Sequence, residues 1–492
     1  MRFEVLLLPR SIKKNLGYQV LFQTIRILMP IITIPIVSNA LGSKGIGISL
    51  FSGSIAEYFV LFSSLGIGIY GNREIAIVRD DPEKLQQTFS ELIILKFITT
   101  AASLIGYFIL VNLFFQGSPF VYFLQSFHIL AVLFDISWFF MGLEDFKKIT
   151  LSHLSIQVLM FLAIVFFIKD YSDLYLYIFI IAFANTLSQA VIWIFARKYI
   201  HFQHIEFSSL LHHLKQMWVY FIPQIAITLY STLNQTILGV ISGEVEVGIY
   251  GNAVKLSAAI VTMISTINNV MLPRMSNLFA NRQLQLIKTS LSDVIHGQLF
   301  ISIPAVFGLC AVISSLVPWF FGQDFLGLIQ LIPIYSVVII AVPLGMSVSN
   351  LYLLPTGNTR VYSFSVFCGA GMSAALNLLL IPAFGALGAI LTTVLVEIFV
   401  TTYRLLYLRK KIQFALDYRL IGKYVTAAAA MYVGIVLLTR HLAPNMVTNL
   451  IQLMIGVMIY TGMCLILKVP LVKTIFLRLF LKVKDIRSKA IQ

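Results

Sequence analysis

Apolar residues along this chain do not alternate with polar ones, nor do they recur only every third or fourth position. They run on for about twenty residues at a time, the length of helix that crosses a hydrocarbon layer. Such runs lie near 16–37, 46–69, 89–115, 120–142, 151–168, 174–196, 217–241, 248–272, 292–317, 327–354, 361–382, 386–408, 421–440 and 447–467. The pattern predicts an all-α polytopic membrane protein of about fourteen transmembrane helices joined by short loops, so that neighbours run antiparallel. The basic stretch Met1–Lys14 leads into the first run as a signal peptide would, but that run continues to Val37 without a small-residue cleavage pattern. It is expected to be a retained first helix.

The few polar positions inside these runs fall on helical stripes. Gln19, Gln23, Arg26, Pro30 and Thr33 share one face of the first helix, and Gln224, Thr228, Ser231 and Gln235 share one face of the seventh. The eighth carries Asn252, Lys255, Thr262, Thr266 and Asn269, and the second carries Ser54 and Glu57. A charge inside a span is costly, which makes Arg26, Glu57, Lys96, His128, Asp135, Lys255 and Glu397 candidates for function. A water-filled cavity between two halves would suit the stripes. Arg26 and Lys255, with Gln23, Gln224 and Asn252, would make it cationic and fit for an anionic headgroup such as a pyrophosphate. Glu57 and Asp135 could couple an ion, or merely neutralise those cations. Lys96 is expected to snorkel to the membrane surface, Glu397 to pair with Arg404, and His128 to be a satisfied interior histidine.

Glycine turns divide the chain. Ile36–Gly47 joins the first two helices, Leu238–Ile249 the seventh and eighth, and Ile381–Ile390 the eleventh and twelfth, each entering the next helix at Gly47, Gly248 or Gly388. The first two turns are six helices apart, an even number, so the halves share one orientation. Parallel repeats of this kind are a transporter arrangement. The expected organisation is two pseudo-symmetric six-helix bundles, 1–196 and 217–408, joined by a cytoplasmic amphipathic linker, 197–216. A C-terminal helix pair, 409–467, and a basic cytoplasmic tail, 468–492, follow. The linker holds His201, His204, His212 and His213, read as solvated interfacial histidines rather than metal ligands.

Charge sets the orientation. About 29 of the 35 basic residues fall in alternate connections and the tail, which places both termini in the cytoplasm of a cell (plasma or inner) membrane. The net charge of +15 therefore reads as topology signal and lipid contact, with no compact basic domain for nucleic acid. Composition agrees: 59% hydrophobic and 11% charged exceeds what a water-soluble fold of 492 residues can bury. Cys310, Cys368 and Cys464 sit in apolar runs as small hydrophobes, and no cofactor or metal site is expected.

Several blocks in order carry a resemblance: Lys14–Tyr18 with Asn39–Gly47, Leu65–Ile75, Val247–Leu256, Val270–Met275, Leu353–Asn358 and Asn377–Gly388. Over nearly the whole chain these resemble the bacterial polysaccharide transporter family of oligosaccharide repeat-unit flippases. That family shares a superfamily with multidrug and toxin extrusion transporters and lipid II flippases. The resemblance implies a V-shaped pair of six-helix bundles with two extra C-terminal helices and a cationic lumen. The implied substrate is an oligosaccharide on undecaprenyl pyrophosphate, flipped to the outer leaflet for capsule, O-antigen or exopolysaccharide assembly. Glycosyltransferases and a polymerase of the same pathway are the implied partners. Two alternatives stand beside it. A cation-coupled multidrug exporter would favour carboxylates over Arg26 and Lys255. A membrane-embedded polysaccharide polymerase would need a larger outer loop than this chain has, so no enzyme is expected.

Overall fold

The computed structural model describes residues 10–115, 118–197 and 207–470; the side chains of residues 10–28, 30, 31, 207 and 223 lie outside that description. Described residues form sixteen α-helices with short 3-10 and π segments and no strand. Thirteen helical stretches are long and apolar enough to cross a membrane, and the first, Ile32–Val78, holds parts of two expected spans. The fourteen runs read from the sequence are thereby accounted for.

By internal contacts the chain divides into two compact units. One comprises the chain to Gly251 together with Asn377–Ala386, the other Asn252–Leu376 and the chain from Leu387. The first contains α1 (Arg10–Ser64), α2 (Ile67–Val78), α3 (Pro82–Phe114), α4 (Pro119–Phe134), α5 (Ser137–Gly142), α6 (Phe146–Phe167), α7 (Leu174–Ala196) and α8 (Phe207–Ser242). The boundary falls within α9 (Glu244–Ala280).

Glycines and caps set the ends of these elements. Two predicted spans run together as α1, bent at Gly42, whose φ of 65° is open to glycine at no steric cost. Leu65 and Gly66 both have positive φ and turn the chain into α2. Asp81 caps α3 ahead of Pro82, accepting from the Lys84 backbone N–H at 3.3 Å. Hydrogen bonds from Lys84 hold the Asp81 carboxyl below the usual carboxylate range.

The predicted span 120–142 is not one helix. It breaks at Asp135 and Ile136, between α4 and α5. A backbone break inside a membrane costs several kcal/mol per unpaired group, so each freed group needs a partner. The Phe134 carbonyl accepts from Trp193 Nε1 at 2.8 Å. The Asp135 carbonyl accepts from Lys96 Nζ and from Trp138 Nε1, the latter at 3.1 Å. The Asp135 carboxylate accepts from the Ser137 hydroxyl and from its N–H at 2.9 Å, capping α5. Lys96 is 1% exposed and so does not snorkel to the surface; its ammonium is turned inward to donate at this break.

The second unit contains most of α9, α10 (Leu284–Phe320), α11 (Leu328–Tyr335), α12 (Val338–Val348), most of α13 (Thr359–Phe384), α14 (Ala386–Ile412), α15 (Tyr418–Thr439) and α16 (Met446–Ile466). The predicted span 327–354 is again interrupted, at Ser336–Val337 and by a π segment, Ser349–Leu353. The C-terminal pair, α15 and α16, packs on α10. Asn449 and Gln452 bond Ser315, Trp319 and Thr439 there, a network whose members satisfy one another. Arg404, near the end of the predicted span 386–408, is 8% exposed. It bonds Ser365 at 2.9 Å and the Gly345 carbonyl at 3.4 Å, under the Tyr362 ring. It fastens α14 to α12 and α13 instead of marking a loop.

Candidate functional site

Glycine turns place the polar stripes. In the first unit the turn around Gly47 and the turn around Gly248 fit into each other. A Cβ at Gly47 would lie 1.7 Å from the Glu244 carbonyl oxygen, and one at Gly248 would lie 2.0 Å from that of Ser43. Close by, Gly251 of α9 faces Leu50 and Gly239 of α8 faces Phe51, each with no room for a side chain. This backbone approach draws α8 along the Gly42–Ser64 part of α1. It brings Thr236 of α8 to Ser54 and Tyr58 of α1, at 3.0 Å in both cases.

Glu57 lies beside that cluster with its side chain exposed, in the midst of a span, and makes no hydrogen bond or ion pair among the described residues. A bare carboxylate at this depth is tolerated where water or a polar ligand reaches it. Gln224 and Thr228 are half-buried and Ser231 is exposed on α8. Asp135 shares no hydrogen bond with Glu57; its carboxylate caps α5 as described above. The side chains of Gln23 and Arg26 lie outside the described residues.

In the second unit, Asn252 is 1% exposed and Lys255 is half-buried one turn later on α9. Lys255 forms no hydrogen bond or ion pair among the described residues. Thr262 and Thr266, on the same helix, turn their hydroxyls back to backbone carbonyls. Lys255 is thus a cation inside an apolar span with its donors uncommitted, which suits an oxyanion supplied from outside the chain.

One expectation changes here, and one buried acid was missed. His213 is not solvated: it is 8% exposed, with Nδ1 2.6 Å from the Tyr70 hydroxyl and Nε2 2.8 Å from Glu91. It reads from sequence as a surface residue because its partners lie on α2 and α3, far off in the chain. Glu91, 3% exposed near the start of a span, is a buried acid absent from the candidates above. His128 is half-buried and meets Asn185 at 3.1 Å.

Stacked spans with paired glycine turns, interrupted helices and uncommitted charges at membrane depth define a multi-pass helical transporter-like membrane protein. The fold agrees with that of a lipid II flippase, MurJ, in an inward closed conformation (TM-score 0.71, 15% identity, 94% of this chain and 100% of that one). It also agrees with an inward-facing multidrug resistance MATE family transporter of the MOP superfamily (TM-score 0.63, 17% identity, 80% and 94%). Residues 12–279 match the family described as Polysaccharide biosynthesis protein, and the chain belongs to that family. Among its relatives, a putative O-antigen transporter of Escherichia coli K12 is 26% identical over 417 residues, covering 81% of this chain and 97% of that protein. A probable low-salt glycan biosynthesis flippase of Haloferax volcanii is 26% identical over 260 residues, 50% of this chain and 52% of that protein.

Proposed function

We propose that this protein is a flippase that moves an undecaprenyl-pyrophosphate-linked oligosaccharide repeat unit from the inner to the outer leaflet of the plasma membrane. It works by alternating access and serves assembly of capsule, O-antigen or exopolysaccharide. The observation that carries the reading is Lys255, a cation on a transmembrane helix with no partner among the described residues. The headgroup pyrophosphate would be that partner, while the polyprenyl tail stays in lipid. A unit charge pair about 4 Å apart gains about 4 kcal/mol at an effective dielectric of about 20, against about 1 kcal/mol in water. A half-buried lysine is therefore selective for anions where a surface lysine is not. Arg26, Gln23, Gln224 and Asn252, the other polar residues that the sequence singles out, would be further groups for phosphate and sugar, and Glu57 or Asp135 would carry any ion coupling.

The membership in a polysaccharide family and the names of the two relatives favour this cargo. An exporter of cationic drugs shares the fold but would be repelled by Lys255. The bundles 1–196 and 217–408 would act as the two moving bodies, with both termini cytoplasmic and no bond-breaking step. Pathway glycosyltransferases and a polymerase would supply and consume the cargo. Arg26→Ala and Lys255→Ala test the proposal in cells. Surface polysaccharide should be lost while the protein remains inserted at normal abundance; normal polymer in both variants overturns the anion-binding role.

A further inference from the structure

Helix α8 carries the stripe Gln224, Thr228, Ser231 and Gln235, and two buried tyrosines hold it near its two ends. Toward Phe207, Tyr70 of α2, His213 of α8 and Glu91 of α3 form one hydrogen-bonded chain, at 2.6 and 2.8 Å, extended by Gln87 to Glu91 at 3.0 Å. Tyr70, His213 and Glu91 are 1%, 8% and 3% exposed. With the ring neutral, one tautomer satisfies every member: the Tyr70 hydroxyl donates to Nδ1, and Nε2–H donates to the Glu91 carboxylate. His213 precedes Gln224 by eleven residues, about three helical turns, and so lies on the same side of α8 as the stripe.

Toward Ser242, Asn234 of α8 donates from Nδ2 to the Tyr250 hydroxyl at 3.0 Å and accepts from Asn377 Nδ2 at its Oδ1. Asn234, Tyr250 and Asn377 are likewise buried. Both tyrosines stand in the same pentapeptide, Gly-Ile-Tyr-Gly-Asn, at 68–72 and 248–252. In each copy the glycine after the tyrosine is pressed against a neighbour. A Cβ at Gly71 would lie 2.7 Å from the Trp138 ring, and one at Gly251 would lie 2.1 Å from Leu50. The backbone beside each hydroxyl is therefore packed in place, and the tyrosine presents its oxygen from a fixed point. Two fixed points near the ends of one helix set both its height and its rotation.

We propose that Tyr70 and Tyr250 are positioning residues that clasp α8 and hold its polar stripe in the register that receives the cargo headgroup, with Glu91 and Asn377 orienting their partners. The proposal rests on the flippase reading for its consequence and on α8 alone for its geometry. Its test uses the full chain in proteoliposomes, with a fluorescent oligosaccharide on undecaprenyl pyrophosphate as probe, and amide hydrogen exchange on the same samples. Tyr70→Phe should speed exchange in 207–221, and Tyr250→Phe in 232–242. Each should raise the apparent KM for the probe by about tenfold, the scale of one lost hydrogen bond, with the maximal rate and the amount reconstituted unchanged.

Faster exchange with an unchanged KM would make the tyrosines merely structural and overturn the proposal, as would unchanged exchange. Should Tyr70→Phe fail to fold, Glu91→Gln keeps the side chain's shape but loses the charge that strengthens the bond from His213, and should show a smaller increase over the same residues. Wild-type protein that moves no probe would defeat the transport reading. The exchange measurement would still decide whether the clasp exists.

Discussion

Replacing Gly248 by alanine puts a methyl carbon 2.0 Å from the Ser43 carbonyl oxygen, and alanine at Gly47 puts one 1.7 Å from that of Glu244. Real Cβ contacts under 3.0 Å essentially do not occur, so the two backbones must part by about 1.0 Å in the first variant and about 1.3 Å in the second. The obstacle in both cases is backbone, which cannot swing aside as a side chain can. Overpacking of this kind costs about 1–3 kcal/mol, and the direct backbone clash puts each variant at the upper end. The two glycines share one contact, since a Cβ at Gly248 would also lie 3.1 Å from the Gly47 nitrogen. Separation forced by one alanine makes room for the other. The double variant should therefore cost less than the two singles together, by about 0.5–3 kcal/mol. Thermal inactivation of purified protein in detergent reads all four forms at one heating rate. Gly462→Ala on α16 is the control: its Cβ meets nothing within 4 Å, so the change removes a mid-helix glycine and raises stability by about 0.5–1 kcal/mol. Wild-type stability in Gly47→Ala and Gly248→Ala, or strict additivity in the double variant, would refute the interlocked turns.

Lys96→Met should leave thermal stability unchanged or raised. It forfeits a charged hydrogen bond of about 1.5–3 kcal/mol but also removes a buried ammonium whose desolvation costs several, and Trp138 still serves the Asp135 carbonyl. Lys96→Ala opens a cavity beside the break and should cost about 2–5 kcal/mol; a methionine variant as damaged as the alanine one would show that the charge itself holds the break. Single cysteines at Lys44 and Arg409 should react with a membrane-impermeant maleimide from opposite sides, and labelling from one side would contradict the orientation drawn from the loop charges.

The spans were legible because lipid leaves few alternatives: a twenty-residue apolar run must be a helix, whatever it packs against. Interruptions were not. Nothing in the apolar run from Phe120 to Gly142 marks a break at Asp135, because partners of its freed carbonyls, Lys96 and Trp193, arrive from other helices. Gly47 and Gly248 were readable as turns, but their fit into each other involves residues about two hundred positions apart. His213 shows the same limit from the polar side. Its neighbours in sequence describe an amphipathic surface helix, while Tyr70 and Glu91 take it inside. Periodicity reports which face of a helix is polar and is silent on which distant side chain completes it. Lys255 stands out in the sequence as a charge within a span, since cost alone singles it out.

The central claim is that the protein carries lipid-linked oligosaccharide across the bilayer. Vesicles containing purified protein and a fluorescent oligosaccharide on undecaprenyl pyrophosphate test it directly, with a membrane-impermeant quencher scoring the headgroup on each face. Protein-dependent movement of the headgroup, abolished by Lys255→Ala, is the expected result. Movement no faster than in protein-free vesicles would contradict it.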